Sequence, residues 1–246
     1  MLIAYILQNP PCLPTGGAVC HRFVSAAFRR PLAVFKRLAR HSAPDLLLRA
    51  ADCVAIDLET TGLHAAKGDE IVALAGVRVM GGKVRQQEAF ARLVDPGRPI
   101  PPRAIEIHGI TDSMVAGASS VLDGLAALRT FVGNAVVIGY SVGFDLEFMA
   151  RSRPNGAIEF NCPTLCILRL SEYLEPSSRD HSLEAVAARF GVSISGRHTA
   201  LGDAMAAAEI FVQMLPRLEA HGVRTLKEAR RAVRRAHFLR RLHLSS

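Results

Sequence analysis

The chain has no apolar run of the ~18 residues needed to cross a bilayer, so no membrane-spanning helix is expected. The apolar start, Met1–Leu7, lacks the positive n-region of a secretory signal, and Asn9-Pro10-Pro11 breaks it where an apolar stretch should continue. The five cysteines (Cys12, Cys20, Cys53, Cys162 and Cys166) include no CxxC pair, and no second Cys or His pair at zinc spacing accompanies Cys162 and Cys166. These absences argue against a structural zinc site and for reduced core thiols in a cytoplasmic protein. No internal repeat is found either, which removes solenoid architectures.

What is present fits a globular protein. At 246 residues, 50% of them hydrophobic, the chain has room for one domain of about 150–200 residues plus extensions. The formal charge of +8 is unevenly spread. Residues 1–50 hold seven Lys/Arg and one acid, Asp45, a net of +6; residues 216–246 hold nine Lys/Arg and two acids, Glu219 and Glu228, a net of +7. Subtracting both from +8 leaves −5 for residues 51–215. An acidic middle with basic ends suits arms that engage a polyanion, whose phosphates reward Lys/Arg by counterion release. Solvated helix faces would give the same charge pattern.

The expected organisation is a leader and basic extension over 1–50, a domain over 51–215 and a basic C-terminal helix over 216–246. Pro10, Pro11, Pro14, Gly16 and Gly17 mark the leader, with one or two short basic helices within Arg30–Arg49. The first strand is Cys53–Leu58. Ile71–Met80 and Lys83–Val94 flank Gly81-Gly82 as a hairpin, so three antiparallel strands open the sheet. A helix is expected from Ser119 or Ser120 to about Phe131, with Leu122, Leu125, Leu128 and Val132 on one face. Ala135–Gly139 reads as a covered central strand. Helices are expected over Gly143–Arg151, Leu165–Leu174 and Leu183–Phe190 (capped by Ser182), and from Ala200 to Leu215, stopped by Pro216. Thr225–Leu242, with Arg pairs at 230/231, 234/235 and 240/241, reads as a basic amphipathic helix. The fold class is therefore α/β, a mixed sheet with flanking helices.

Asp57 and Glu59 stand at i and i+2 on the first strand, so their carboxylates project to the same side. Two such acids repel unless a cation lies between them, and all-oxygen ligation favours Mg²⁺ or Mn²⁺ over zinc. Asp145 opens a helix just after the buried strand Ala135–Gly139. It either complements that helix's dipole or belongs to a site at the strand end. Asp203, in the first turn of the helix from Ala200, has the same two readings. His198 alone would pass for a loop histidine. Taken together, four carboxylates and one histidine all fall at element edges.

Val54-Ala55-Ile56-Asp57-Leu58-Glu59-Thr60-Thr61-Gly62-Leu63 resembles the first motif of the DEDDh (DnaQ-like) 3′–5′ exonucleases, which include the ε proofreading subunit of bacterial DNA polymerase III, RNase T and oligoribonuclease. Leu93-Val94-Asp95-Pro96 and Ile107-His108-Gly109-Ile110-Thr111 are similar to the stretch the family carries after its third strand. Gly139–Asp145 and His198–Asp203 resemble its second and third motifs. The order is kept over residues 52–215, about two thirds of the chain.

The resemblance implies an RNase H-like fold and two-metal phosphodiester hydrolysis, with Asp57, Glu59, Asp145 and Asp203 as ligands of two divalent cations, Mg²⁺ or Mn²⁺. It further implies His198 as general base and nucleoside 5′-monophosphate products from a free 3′ end, with single-stranded DNA favoured over RNA. Thr60, Thr61, Gly62, Leu63, His108 and Phe144 are implied to hold the terminal nucleotide; packing is the alternative role for Leu63, His108 and Phe144. Tyr140-Ser141 depart from the His-Asn or His-Ser that many members carry before Phe-Asp. Neither is an implied ligand or base. A polymerase or repair partner is also implied, although no clamp-binding type of peptide is evident near Gln213-Met214-Leu215. The competing reading is a catalytically weak or inactive module that binds nucleic acid or a polymerase.

Overall fold

The structure, a computed structural model, describes residues 46–152 and 158–243, with side chains described as far as Arg234. The expected leader and most of the basic N-terminal extension lie outside the described residues, as do the side chains of Arg235, Arg240 and Arg241.

Among the described residues, six strands form one sheet in the order β4-β3-β2-β1-β5-β6. They are β1 (Cys53–Thr60), β2 (Ile71–Met80), β3 (Lys83–Asp95), β4 (Ser119–Ser120), β5 (Val136–Gly139) and β6 (Thr164–Cys166). As expected, β1, β2 and β3 run antiparallel, and β2 turns into β3 at Gly81-Gly82, both at positive φ. The other pairings, β3 with β4, β1 with β5 and β5 with β6, are parallel. The helices are α1 (Pro102–His108), α2 (Asp112–Val115), α3 (Val121–Val132), α4 (Val142–Arg151), α5 (Ile167–Leu174), α6 (Leu183–Arg189), α7 (Ala200–Ala220) and α8 (Leu226–His243).

β1 is apolar almost throughout because both faces of the sheet are covered. Its residues still alternate. Val54, Ile56 and Leu58 join the core formed with Leu125, Leu128 and Val132 of α3. Cys53 and Ala55 join the core formed with Ala204, Ala207, Ala208 and Phe211 of α7. Small residues on both partners let α7 lie close to the strands, and Phe211→Ala there would cost about 3–5 kcal/mol. By the same alternation Asp57 and Glu59 continue the α7 face, which is the reason the first motif meets the third.

Several expectations need correction. Leu165 and Cys166 belong to β6, whose pairing with Val137–Gly139 overrides their helical pattern, so the helix starts at Ile167. α3 begins after Ser120, whose Oγ accepts the Asp123 N–H at 3.1 Å, but Leu122 is exposed and Gly124 shares the buried face with Leu125, Leu128 and Val132. α7 does not stop at Pro216. Proline removes one backbone donor, yet buried Leu215 and Leu218 on either side hold the helix to Ala220. The short helices α1 and α2 were not anticipated.

α8 spans nearly the expected range, with Leu226, Ala229 and Ala232 buried and Arg230, Arg231 and Arg234 exposed. The segment before β1 pairs with its start: Leu48 N–H donates to the Arg224 carbonyl at 2.9 Å, and Leu226 N–H to the Leu46 carbonyl at 2.9 Å. Arg49 makes a two-pronged ion pair with Glu219, at 2.9 and 3.0 Å.

Candidate active site

The site forms where β1 ends. The β1–β2 register shifts between Glu59 and Thr60, a bulge of the kind that re-aims side chains beside active sites. Beyond it the chain folds back through a 3₁₀ turn, Ala65–Lys67, and is closed by Thr61 N–H to the Glu70 carbonyl (2.8 Å) and Glu70 N–H to Thr61 Oγ1 (3.0 Å). Thr60 Oγ1 donates to the Gly62 carbonyl at 2.6 Å. Asp69 accepts the His64 N–H at 3.0 Å and pairs with Arg98 at 3.4 Å. Leu63, at the tip, is 76% exposed.

Carboxylate oxygens of Asp57, Glu59 and Asp203 lie within 4.8 Å of one another. Asp203 reaches them from the first turn of α7, which Thr199 caps by accepting the Gly202 N–H at 3.1 Å. Asp145, in the first turn of α4, is buried, and its charge repels that of Asp57. It is not part of the three-residue cluster within 4.8 Å.

Such crowding disfavours ionisation. Burial, then repulsion from Asp145, Glu59 and Asp203, drives Asp57 well above the usual carboxylate range. Glu59 is pushed up to about 7 by burial and by the Asp203 charge, against the pull of Arg197. Asp145 is likewise pushed up to about 7 by burial, although its own N–H and that of Leu58 favour the carboxylate. Asp203 is raised by burial and lowered by Arg197. The cluster is therefore short of positive charge even with Arg197 at its edge. Its donors are all oxygens, and buried Asp203 Oδ1 has no hydrogen-bond partner in good geometry among the described residues, although the His198 backbone N–H is near enough to favour the carboxylate. A hard divalent cation fits both facts.

His198 precedes the Thr199 cap on an exposed loop and adopts φ 60°, a left-handed conformation rare for a residue other than glycine. Gly202 explains how that loop lies against α7. A Cβ there would stand 2.1 Å from the Gly196 carbonyl oxygen and 2.5 Å from that of Ser195. Arg197, which the sequence gave no reason to single out, bonds Asp203 Oδ2 through Nη1, Glu184 Oε1 through Nε at 2.5 Å, and the His198 ring at 3.2 Å.

Phe144 is half-buried and packs on Phe148, ring centroids 4.8 Å apart. His108 is buried: its Nδ1 accepts the Ile110 N–H at 3.0 Å, which leaves the ring proton on Nε2. That nitrogen has no partner in good geometry, although the Thr60 backbone is near enough to oppose the lowering of its pKa by burial. Tyr140, the departure in the second motif, is held by its hydroxyl, which donates to the His181 carbonyl. Gln213, Met214 and Leu215 lie inside α7, with Met214 and Leu215 buried.

The acidic cluster at the end of a central strand takes Asp57 and Glu59 from β1 and Asp203 from the first turn of α7, with Asp145 of α4 near Asp57, an all-oxygen arrangement that suits a hard divalent cation. The RNase_T exonuclease family model matches residues 54–211. A DNA polymerase III subunit epsilon from Aquifex aeolicus is 38% identical over 67% of this chain and 81% of its own length. A DNA polymerase III subunit epsilon-like protein from Rhodobacter capsulatus is 41% identical over 70% of this chain but only 25% of its own length. Exonuclease X, solved with 5′-overhanging duplex DNA, is similar at 26% identity and a TM-score of 0.58, covering 73% of this chain and 99% of that one. Exonuclease I from E. coli, solved with a dT13 oligonucleotide, shares the fold at 20% identity and a TM-score of 0.58, covering 70% of this chain and 42% of that one. The chain belongs to the DnaQ-like exonuclease family and has its RNase H-like fold.

Proposed function

We propose that this exonuclease removes nucleotides from the 3′ end of DNA, single-stranded DNA foremost, releasing nucleoside 5′-monophosphates. The observation that carries the reading is the oxygen-only cluster of Asp57, Glu59 and Asp203, with a buried oxygen on Asp203 that has no well-placed hydrogen-bond partner among the described residues and with Asp145 beside Asp57. These four carboxylates would hold two divalent cations, Mg²⁺ or Mn²⁺. When bound, such ions polarise the phosphate, lower the pKa of water and stabilise the leaving oxygen.

The chain's own residues do the rest. The His198 ring, exposed on the loop before α7, takes the proton of the attacking water as general base. Leu63 offers an apolar face to the terminal base, and Phe144 offers a ring edge at the same end of the sheet. The backbone of Thr60–Gly62 lies along the path of the terminal nucleotide. The His108 Nε2–H, a donor without a partner, serves either that nucleotide or the Thr60 backbone. The relatives' names, DNA polymerase III subunit epsilon and an epsilon-like protein, support a polymerase partner; a repair partner and a cytoplasmic setting are parts of the same reading. Because Met214 and Leu215 are buried in α7, a clamp-type contact through Gln213–Leu215 is not part of this reading.

The test is side-by-side digestion of single-stranded DNA, mismatched duplex DNA and short RNA with Mg²⁺ or Mn²⁺. The expected order has single-stranded DNA fastest, with Asp145→Ala and EDTA each abolishing cleavage. Faster RNA digestion would overturn the DNA preference. No cleavage of any substrate with either metal would favour the binding-module reading.

A further inference from the structure

Arg197 touches three groups at once. One guanidinium nitrogen, Nη1, donates to Asp203 Oδ2 and to His198 Nδ1 (3.2 Å), while Nε donates to Glu184 Oε1 at 2.5 Å. We propose that Arg197 is a latch that holds the centre inactive until a cation takes Asp203, and that Glu184 is the anchor on which it swings clear. The inference rests on the proposed roles of Asp203 and His198.

The first reason is electrostatic. Asp57, Glu59 and Asp203 crowd their carboxylate oxygens within 4.8 Å of one another, and Arg197, bonded to Asp203 Oδ2 from the rim, offsets part of that charge. A divalent cation at Asp203 takes over that role and repels the guanidinium. The second reason is proton chemistry. A neutral imidazole has a single lone-pair nitrogen, the other ring nitrogen being an N–H donor. An arginine only donates, so its bond to Nδ1 occupies that lone pair. While the contact stands, His198 has no nitrogen left to take a proton from water. Ligand and base are therefore blocked by the same atom and freed by the same movement.

The third reason is the anchor. Glu184 lies in α6, is largely exposed and binds Nε rather than Nη1, so the guanidinium can stay on Glu184 after Nη1 has left. Its carboxyl is held below its usual pKa mainly by this contact and remains charged near neutral pH.

The test uses the full chain without nucleic acid. Mn²⁺ affinity is measured by titration calorimetry for the wild type, Arg197→Gln and Arg197→Lys. Losing a competing charge-assisted bond should tighten Mn²⁺ binding roughly tenfold in Arg197→Gln, with Arg197→Lys in between. ¹⁵N-edited histidine spectra should show the His198 ring as the Nε2–H tautomer in the metal-free wild type. Saturating Mg²⁺ should change that signature, and Arg197→Gln should already lack it. Unchanged or weaker Mn²⁺ binding in Arg197→Gln would overturn the latch, as would a wild-type ring spectrum indifferent to Mg²⁺. If Arg197→Gln fails to fold, as judged by its melting curve, Arg197→Lys and the wild-type spectra decide the question. A wild type that binds no Mn²⁺ would instead sink the reading of the site itself, so the two failures are distinct.

Discussion

Replacing Glu59 by Gln should stabilise the metal-free protein while destroying its activity. Glu59 has its pKa raised from 4.5 to about 7, chiefly by burial and the Asp203 charge. Between those values the folded protein binds more protons than the unfolded one, so stability falls as pH rises through the window and the full penalty stands above about pH 7. At 1.36 kcal/mol per pKa unit, the shift corresponds to about 3 kcal/mol at pH 8. Gln keeps the shape without the charge. In EDTA, Glu59→Gln should therefore gain up to about 3 kcal/mol at pH 8, roughly 6–12 °C in melting temperature for a domain of this size. At pH 4, where Glu59 is protonated in the fold, the gain should vanish. Urea unfolding at both pH values, with and without Mg²⁺, provides the assay. With Mg²⁺ the order should invert, because the wild type gains ligand-linked stability that the variant loses. A metal-free Glu59→Gln no more stable than wild type at pH 8 would refute the claim that the carboxylates are held against mutual repulsion.

Three further outcomes are expected. His198→Asn, which tolerates the left-handed backbone at 198, should lower turnover by the ~10²–10⁴ of a lost general base while leaving Mn²⁺ affinity within a few-fold of wild type; calorimetry beside single-turnover rates checks this. Gly202→Ala should displace the Ser195–Gly196 backbone and cut turnover at least about tenfold, with far-UV circular dichroism unchanged, since a Cβ there would stand 2.1 Å from a carbonyl oxygen. Charge removal at Arg230, Arg231 and Arg234 should weaken single-stranded DNA binding and reduce its salt slope by as much as ~0.7 per lost phosphate contact, measured by fluorescence anisotropy between 50 and 200 mM salt. An unchanged slope would instead assign the exposed face of α8 a role without nucleic acid.

Much of the fold was legible because two periodicities were clear. The apolar run Cys53–Leu58 and the Gly81-Gly82 hairpin set the antiparallel half of the sheet; Ser119 or Ser120, and Ser182, announced two helix starts, and the structure caps them with Ser120 and Ser182. β6 escaped notice because Leu165 and Cys166 fit a helical pattern, and only pairing with β5 decides otherwise. The helical stop at Pro216 was misread because local propensity yielded to burial of Leu215 and Leu218.

At the site, the i and i+2 placement of Asp57 and Glu59 was readable from strand geometry alone. The approach of Asp203 depends on the Ala-rich seat between α7 and β1, and is a tertiary fact. Arg197 was invisible for a simpler reason. An arginine beside a histidine carries no pattern until the loop brings it to Asp203 and Glu184.

The central claim is cation-dependent removal of nucleotides from a 3′ end. The direct measurement is a time course on 5′-labelled single-stranded DNA with Mg²⁺ or Mn²⁺, alongside Asp145→Ala and EDTA controls. The account predicts a ladder of labelled products shortening one nucleotide at a time, with no labelled mononucleotide early and no ladder in either control. Early release of the label as a mononucleotide, or a ladder that survives Asp145→Ala and EDTA, would contradict it.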